Sequence, residues 1–194
     1  MPSAPSPFRF WEFLSLDPGA VSSHAPPRVK THEIYQQLDS ALVRDMFLFF
    51  RETERDLYKS AVASLASNRK LRPVFIQKKP VPEQIEWLHK TLKLRSSDII
   101  GEHLFQAWFM KGQQPLLVDF CDSMEIAHNG EGTVEGDLPE ELDAEKFKAT
   151  LDMLLEKYDP KLVTLYLQVF NLQTPSGWAV VSEALENDER LGMG

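Results

Sequence analysis

The stretch from Asp119 to Glu131 holds most of the residue types in this chain that could do chemistry. Asp119, Asp122, Glu125 and His128 place three carboxylates and an imidazole close together in the sequence. Carboxylates and imidazoles bind transition metals, and they also activate water as general bases. One hypothesis is therefore a metal-binding protein or a hydrolase that uses the acidic, histidine-containing segment 119–131.

Helical geometry weakens this hypothesis. At roughly 100° per residue, the apolar side chains around Phe120 fill one arc of a helix over this region, while Asp119 and Asp122 fall on the opposite arc. Acidic residues opposite an apolar stripe usually form the solvated face of a helix. We therefore expect no bound metal and no cofactor here.

The segment HNGEGTV resembles the middle of an EF-hand calcium loop, with Gly132 at the position that requires glycine. The first and last ligand positions would be Ala127 and Leu138, which supply no carboxylate. Asn129-Gly130 is instead typical of a tight turn between two strands. The pattern favours a connector that contains a short β-hairpin near 126–134, with His128 bonded to the turn.

Other catalytic motifs are absent from the sequence. The chain has no Walker sequence, no G-x-S-x-G elbow and no G-x-G-x-x-G fingerprint. Its single cysteine, Cys121, excludes zinc-binding cysteine pairs and an intrachain disulfide, and it lies on an apolar arc that predicts a buried, unreactive thiol. A reduced cysteine favours a cytoplasmic location, and no apolar run approaches the ~20 residues of a membrane helix.

Two histidines lie on or beside apolar helix faces. His103 falls within an apolar arc, which predicts a buried histidine; the arc consists of Ile99, Ile100, Leu104, Ala107 and Met110. His89 borders the inner stripe of its own helix. In both cases we expect a neutral imidazole bonded to a carbonyl or carboxylate, with a catalytic base or a pH switch as the alternative.

Charge is unevenly distributed along the chain. The net charge is -8, yet residues 68–95 carry 8 basic and 2 acidic side chains, and residues 96–194 carry 6 basic and 19 acidic ones. The overall sign argues against general nucleic-acid binding, because phosphate contacts require cations. The basic segment still offers contacts to an anion or an acidic partner through Arg69, Lys70, Arg72, Lys78 and Lys79.

The hydrophobic periodicity predicts a mainly α protein, an irregular bundle of seven or eight helices. From Thr31 to Asn68 it predicts one long helix or, preferably, two with a break near RETERD. The all-apolar MFLFF, residues 46–50, favours a central core helix over an exposed dimer face. Pro73, Pro80 and Pro82 predict an extended basic connector from Asn68 to the helix that starts at Pro82. Asp143, Asp159-Pro160 and Thr174-Pro175 mark the last three helix starts.

The predicted domain organisation is simple. Residues 1–30, rich in proline and serine, are predicted to form a loosely ordered arm. Residues 31–194 are predicted to form a single helical domain, and sub-lobes 31–95 and 96–194 are an alternative division.

The segments LLVDFCDSMEIAHNGEGTVEGDLP and LLEKYDPKLVTLYLQVFNLQTPSGW resemble an uncharacterised family of bacterial helical proteins. The resemblance covers roughly residues 116–191. It implies a bacterial cytoplasmic protein and assigns no catalytic residue.

The sequence favours a non-enzymatic protein that binds a protein partner or a second copy of itself. In a dimer, basic residues 68–95 would face an acidic surface of the C-terminal half. The remaining alternatives are the metal-binding protein or hydrolase described above and a nucleic-acid accessory protein that uses basic segment 69–79.

Overall fold

The computed structural model describes residues 29–174 and 178–192, so the predicted arm lies almost entirely outside the described residues. The described part is mainly α-helical, as predicted, and contains ten α-helices joined by short connections. They are α1 Thr31–Gln37, α2 Ser40–Thr53, α3 Arg55–Asn68, α4 Pro73–Gln77, α5 Val81–Leu92, α6 Asp98–Gly112, α7 Gln114–Met124, α8 Ala144–Lys157, α9 Pro160–Gln173 and α10 Ala179–Asn187. Two 3₁₀ turns, Arg95–Ser97 and Glu189–Leu191, complete the described elements.

The region from Thr31 to Asn68 forms three helices rather than one or two. The chain breaks at Glu54, near the predicted position, and also at Asp39. The side chain of Asp39 accepts a hydrogen bond from the amide of Ala41 at 2.6 Å, which caps the start of α2. Asp39-Ser40 is therefore a helix start in a region without glycine or proline.

The α2 helix lies at the centre of the bundle, which confirms the interpretation of MFLFF as a core helix. Met46, Phe47 and Phe50 are fully buried, and α2 packs against α3, α5 and α6.

Two capping predictions also hold. Asp143 accepts from the amide of Lys146 at the start of α8, and Asp159 accepts from the amide of Lys161 at the start of α9.

The predicted β-hairpin near 126–134 is wrong. His128 and Val134 form one isolated antiparallel bridge, and no strand forms in the described part of the chain. A two-residue hairpin turn of this type requires positive φ at both central residues. Gly130 has φ of +85°, but Asn129 does not adopt a positive φ. The Asn129 side chain instead accepts from the amides of Glu131 and Thr133, which forms a wider loop.

The last helix begins later than its sequence signal indicates. Thr174 ends α9, α10 begins at Ala179, and residues 175–177 lie outside the described residues. Among the described helices, none is long and apolar enough to cross a membrane.

Candidate functional site

The His128 side chain organises the turn that follows α7. It is only 10% exposed, and its Nε2–H donates to Oδ1 of Asp122 at 2.9 Å. Its Nδ1 accepts from the amides of Gly130 and Gly132 at 3.2 and 3.3 Å. Since both ring nitrogens are engaged by the turn and by α7, His128 holds this loop in shape, as the sequence predicts.

Asp119 joins α7 to α8 rather than facing His128. Its Oδ2 accepts hydrogen bonds from the ammonium of Lys157 and the hydroxyl of Tyr158. Partial burial opposes ionisation of this carboxyl, but the two donors outweigh it and lower the pKa of Asp119. The carboxylate is therefore held ionised by contacts that tie two helices together.

Glu125 ends α7 and extends into solvent. Its backbone is left-handed, with φ of +56°, and its carboxylate lies 2.6 Å from the ammonium of Lys146 on α8. The Glu125 side chain is 82% exposed. An exposed ion pair of this kind contributes little to stability.

The structure thus separates the four candidate polar residues into three independent contacts. Asp122 pairs with His128, Asp119 with Lys157 and Tyr158, and Glu125 with Lys146. Within residues 29–174 and 178–192, no group of three or more His, Cys, Asp or Glu side chains is arranged to hold a metal ion. This geometry gives the metal-binding and hydrolase alternative no support.

The prediction of a buried His103 is wrong, because its side chain is exposed. The buried face of α6 is the stripe of Gly101, Leu104, Phe105, Trp108 and Phe109. His103 lies almost opposite this stripe at 100° per residue. The stripe is fixed by Tyr35, whose ring stacks on Phe105 at 4.2 Å and whose hydroxyl donates to the carbonyl of Gly101.

His89 and Cys121 lie where the sequence indicates. The Nε2–H of His89 donates to the carbonyl of Tyr35 at 3.0 Å, and burial lowers the pKa of this imidazole. Cys121 is buried, and burial raises the pKa of its thiol to about 11. At neutral pH that thiol is therefore protonated and a poor nucleophile.

The basic segment 69–79 differs from the predicted extended connector, because α4 forms within it. Pro73 occupies the first turn of α4, where its missing N–H costs nothing. Ile76, only 3% exposed, anchors the helix in the core. The proline that suggested an extended chain thus starts a short helix, and the buried isoleucine retains it.

A surface with both apolar and basic groups results, and we call it the α4 patch. Its apolar members are Leu71, Val74 and Phe75, which are 42%, 44% and 61% exposed. Its cations are Arg69, Lys70, Arg72 and Lys78, all exposed. Sequence reasoning identified the cations but missed Leu71 and Val74. The pattern that could have indicated them is the segment RKLRPVFIQKK, which combines cations and apolar residues with no acidic residue.

The cations of the α4 patch are not neutralised by the described part of the chain. Arg69, Lys70, Arg72 and Lys78 form no ion pair with any described residue. The neighbouring Lys79 is paired with Glu83 at 2.9 Å. The α4 patch therefore presents four cations, none of them paired with a described residue, beside three exposed apolar side chains.

A shallow groove lies between α8 and α10, with a volume of about 630 Å³. Phe147, Leu151, Val180 and Ala184 are among its lining residues. At its rim the guanidinium of Arg190 is already paired with Asp152 and Asp188. The charged residues that line this groove are of both signs, whereas those of the α4 patch are all positive.

No protein-family model, no curated protein and no solved structure matches this chain. A function for this chain therefore has to be inferred from the geometry of its own side chains.

Proposed function

We propose that this protein is a cytoplasmic protein-interaction module that docks an acidic, apolar polypeptide segment on the α4 patch. One observation carries the proposal: Leu71, Val74 and Phe75 are exposed on a short segment with four cations that pair with no described residue. A contiguous exposed apolar surface with a polar rim is typical of a protein-binding site.

The apolar part of the α4 patch supplies affinity. Phe75 is the most exposed of its three apolar side chains, and aromatic residues are enriched among the residues that dominate binding energy. Covering apolar surface contributes about 25 cal/mol per Å² removed from water. A partner that covers Leu71 and Val74 together with Phe75 therefore gains more binding free energy than a partner that contacts only the ring of Phe75.

The cations of the α4 patch determine which charge its partner carries. From Arg69 to Lys79 the chain has five basic residues and no acidic one. Such a surface attracts an acidic segment and repels basic ones, and charge complementarity of this kind acts mainly on association rate and selectivity. Since the cations are exposed, their contribution decreases with ionic strength.

A buried polar network fixes the position of the α4 patch. The hydroxyl of Tyr58 on α3 donates to Oε1 of Gln84 on α5 at 2.9 Å. The side-chain amide of Gln84 then donates to the carbonyls of Gln77 and Lys79 at 3.2 and 2.7 Å. The end of α4 is therefore held between α3 and α5, so docking requires little ordering of the patch.

A nucleic-acid accessory protein is the second candidate function, and Phe75 is the observation that favours it. An exposed aromatic ring among cations can stack on a base of a single strand. Leu71 and Val74 favour a protein partner instead, because aliphatic side chains do not stack, and the net charge of -8 opposes approach to nucleic acid.

Fluorescence anisotropy with labelled probes separates the two functions. The probes are a short synthetic peptide that alternates glutamates with leucines, a polyglutamate peptide of the same length, and a single-stranded oligonucleotide. We expect saturable binding of the leucine-containing peptide, weaker binding of polyglutamate, and weakening by salt. Phe75→Ser should reduce peptide affinity by about tenfold.

Ile99→Ser is the matched control, because Ile99 is an apolar residue 73% exposed on α6. This variant should bind the peptide as the wild type does. Equal losses in the Phe75 and Ile99 variants, or no saturable peptide binding, would overturn the proposal. Tighter binding of the oligonucleotide than of either peptide would assign the patch to nucleic acid instead.

A further inference from the structure

The segment from Glu131 to Glu145, which we call the acidic segment, has the opposite character to the α4 patch. It contains seven acidic residues and no basic one. All seven are exposed. They are Glu131, Glu135, Asp137, Glu140, Glu141, Asp143 and Glu145, and none of them forms an ion pair with a described residue.

The acidic segment also carries apolar side chains among its acids. Leu138 and Leu142 are only half-buried at the edge of the core, and Pro139 between them is exposed. The sequence DLPEEL therefore presents leucine and proline surface flanked by carboxylates. This is the same combination as in the α4 patch, with the charge reversed.

The acidic segment is held in place at several points. The carbonyl of Pro139 accepts from Nε1–H of the buried Trp178 at 3.0 Å, and Val134 is buried. The His128 turn fixes its beginning, and Asp143 caps α8 at its end. A surface fixed in this way can dock with little loss of conformational entropy.

We infer that the occupant of the α4 patch is the acidic segment of a second copy of this chain. The inference rests on the proposed function and names its partner. No ion pair joins the two surfaces among the described residues, which leaves both of them available to a second molecule. In a dimer with two-fold symmetry each copy supplies one patch and one acidic segment, and the same contact forms twice.

Sedimentation velocity over a concentration series tests the inference with the full-length chain. We expect the wild type to form dimers that dissociate as salt is raised. A patch-reversed variant, Arg72→Glu with Lys78→Glu, and a segment-reversed variant, Glu140→Lys with Glu141→Lys, should each dimerise about tenfold or more weakly. Arg44→Glu and Glu186→Lys change exposed charges elsewhere and should leave the dimer intact.

The decisive experiment is to mix the two charge-reversed variants. In the mixed dimer a wild-type patch meets a wild-type segment, and a reversed patch meets a reversed segment, so both contacts again join opposite charges. We expect the mixture to form dimers when neither variant does alone. This recovery also shows that both variants are folded.

Two results would overturn the inference. One is a wild type that stays monomeric over the whole concentration series, and the other is a segment-reversed variant that dimerises as well as the wild type. Neither result decides the proposed function, which the peptide titration tests separately. If the peptide still binds the α4 patch, the partner of the patch is a different protein. A wild type that binds no peptide on the α4 patch would instead overturn the proposed function, and this inference with it.

Discussion

His128 and Asp122 connect the turn before the acidic segment to the end of α7, with Nε2 of the imidazole 2.9 Å from Oδ1 of the carboxylate. The other nitrogen of His128 accepts from the amides of Gly130 and Gly132. In this geometry the two side chains connect the loop to α7 and hold it in shape.

We predict that His128→Ala will loosen this loop. The amides of Gly130 and Gly132 lose their acceptor, so they should exchange with solvent deuterium faster than in the wild type. Hydrogen exchange monitored by mass spectrometry on peptides covering residues 128–136 measures the change. His103→Ala removes an exposed imidazole and should leave these peptides unaffected, whereas unchanged exchange in the His128 variant would contradict the bracing role.

The buried contact of His89 predicts a pH dependence of stability. Burial lowers the pKa of His89 below its ordinary value of 6.5, so the unfolded chain takes up a proton at a higher pH than the folded chain does. The free energy of unfolding should therefore fall as the pH drops below about 6.5, and the loss should end once the folded imidazole is protonated.

Urea denaturation of the wild type and of His89→Gln at a series of pH values measures this contribution. The glutamine can still donate to the carbonyl of Tyr35 but cannot titrate. We expect the difference in unfolding free energy between the two proteins to change below pH 6.5 and to be constant above it. A difference that is independent of pH would refute the assignment.

Asp119→Ala is predicted to destabilise the fold by about 1–2 kcal/mol, because Tyr158 and Lys157 lose a shared acceptor between α7 and α8. The pKa of Asp119 is lowered in the folded state, so this stabilisation is present above its ordinary pKa of 3.8 and is lost as pH falls through the folded value. Thermal denaturation at neutral and acidic pH measures both effects. Asp122→Ala, at a more exposed carboxylate, should cost less, and the reverse order would contradict this account.

Lys70→Gly is predicted to stabilise the protein by about 0.5–1 kcal/mol. Lys70 has φ of +56° at the end of α3, where its amide bonds to the carbonyl of Ser67 and the amide of Leu71 bonds to that of Ala66. Glycine adopts this conformation without strain. Arg69→Gly also removes one cation, but at a residue with φ of -95°, and should destabilise the protein. Chemical denaturation of both variants provides the comparison.

The sequence predicted those parts of the fold that local chemistry determines. Asp143 and Asp159 mark helix starts because a short carboxylate can accept from a free backbone amide in the first turn. The end of α3 at Asn68 was also predicted, although Lys70 occupies the left-handed position that glycine usually takes near the end of a helix. A non-glycine residue at that position has no distinctive pattern.

Long-range packing explains the other errors. The inner face of α6 depends on the fit of Tyr35 against Phe105 and Gly101, which are distant in sequence from Tyr35. Hydrophobic periodicity alone therefore predicted the wrong buried face of α6, and with it a buried His103. The α4 patch was only partly predicted for the same reason, because the exposure of Leu71 and Val74 follows from the burial of Ile76.

Titration of the isotope-labelled chain with the peptide of alternating glutamates and leucines, followed by backbone amide NMR spectra, shows which surface of the protein the peptide occupies. At 22.2 kDa the chain is within the range of this measurement. If the α4 patch is the docking surface, saturable shifts should concentrate at residues 66–79 and weaken in Phe75→Ser. Shifts that instead concentrate in the groove between α8 and α10, or spectra that do not change, would contradict the assignment of function to the α4 patch.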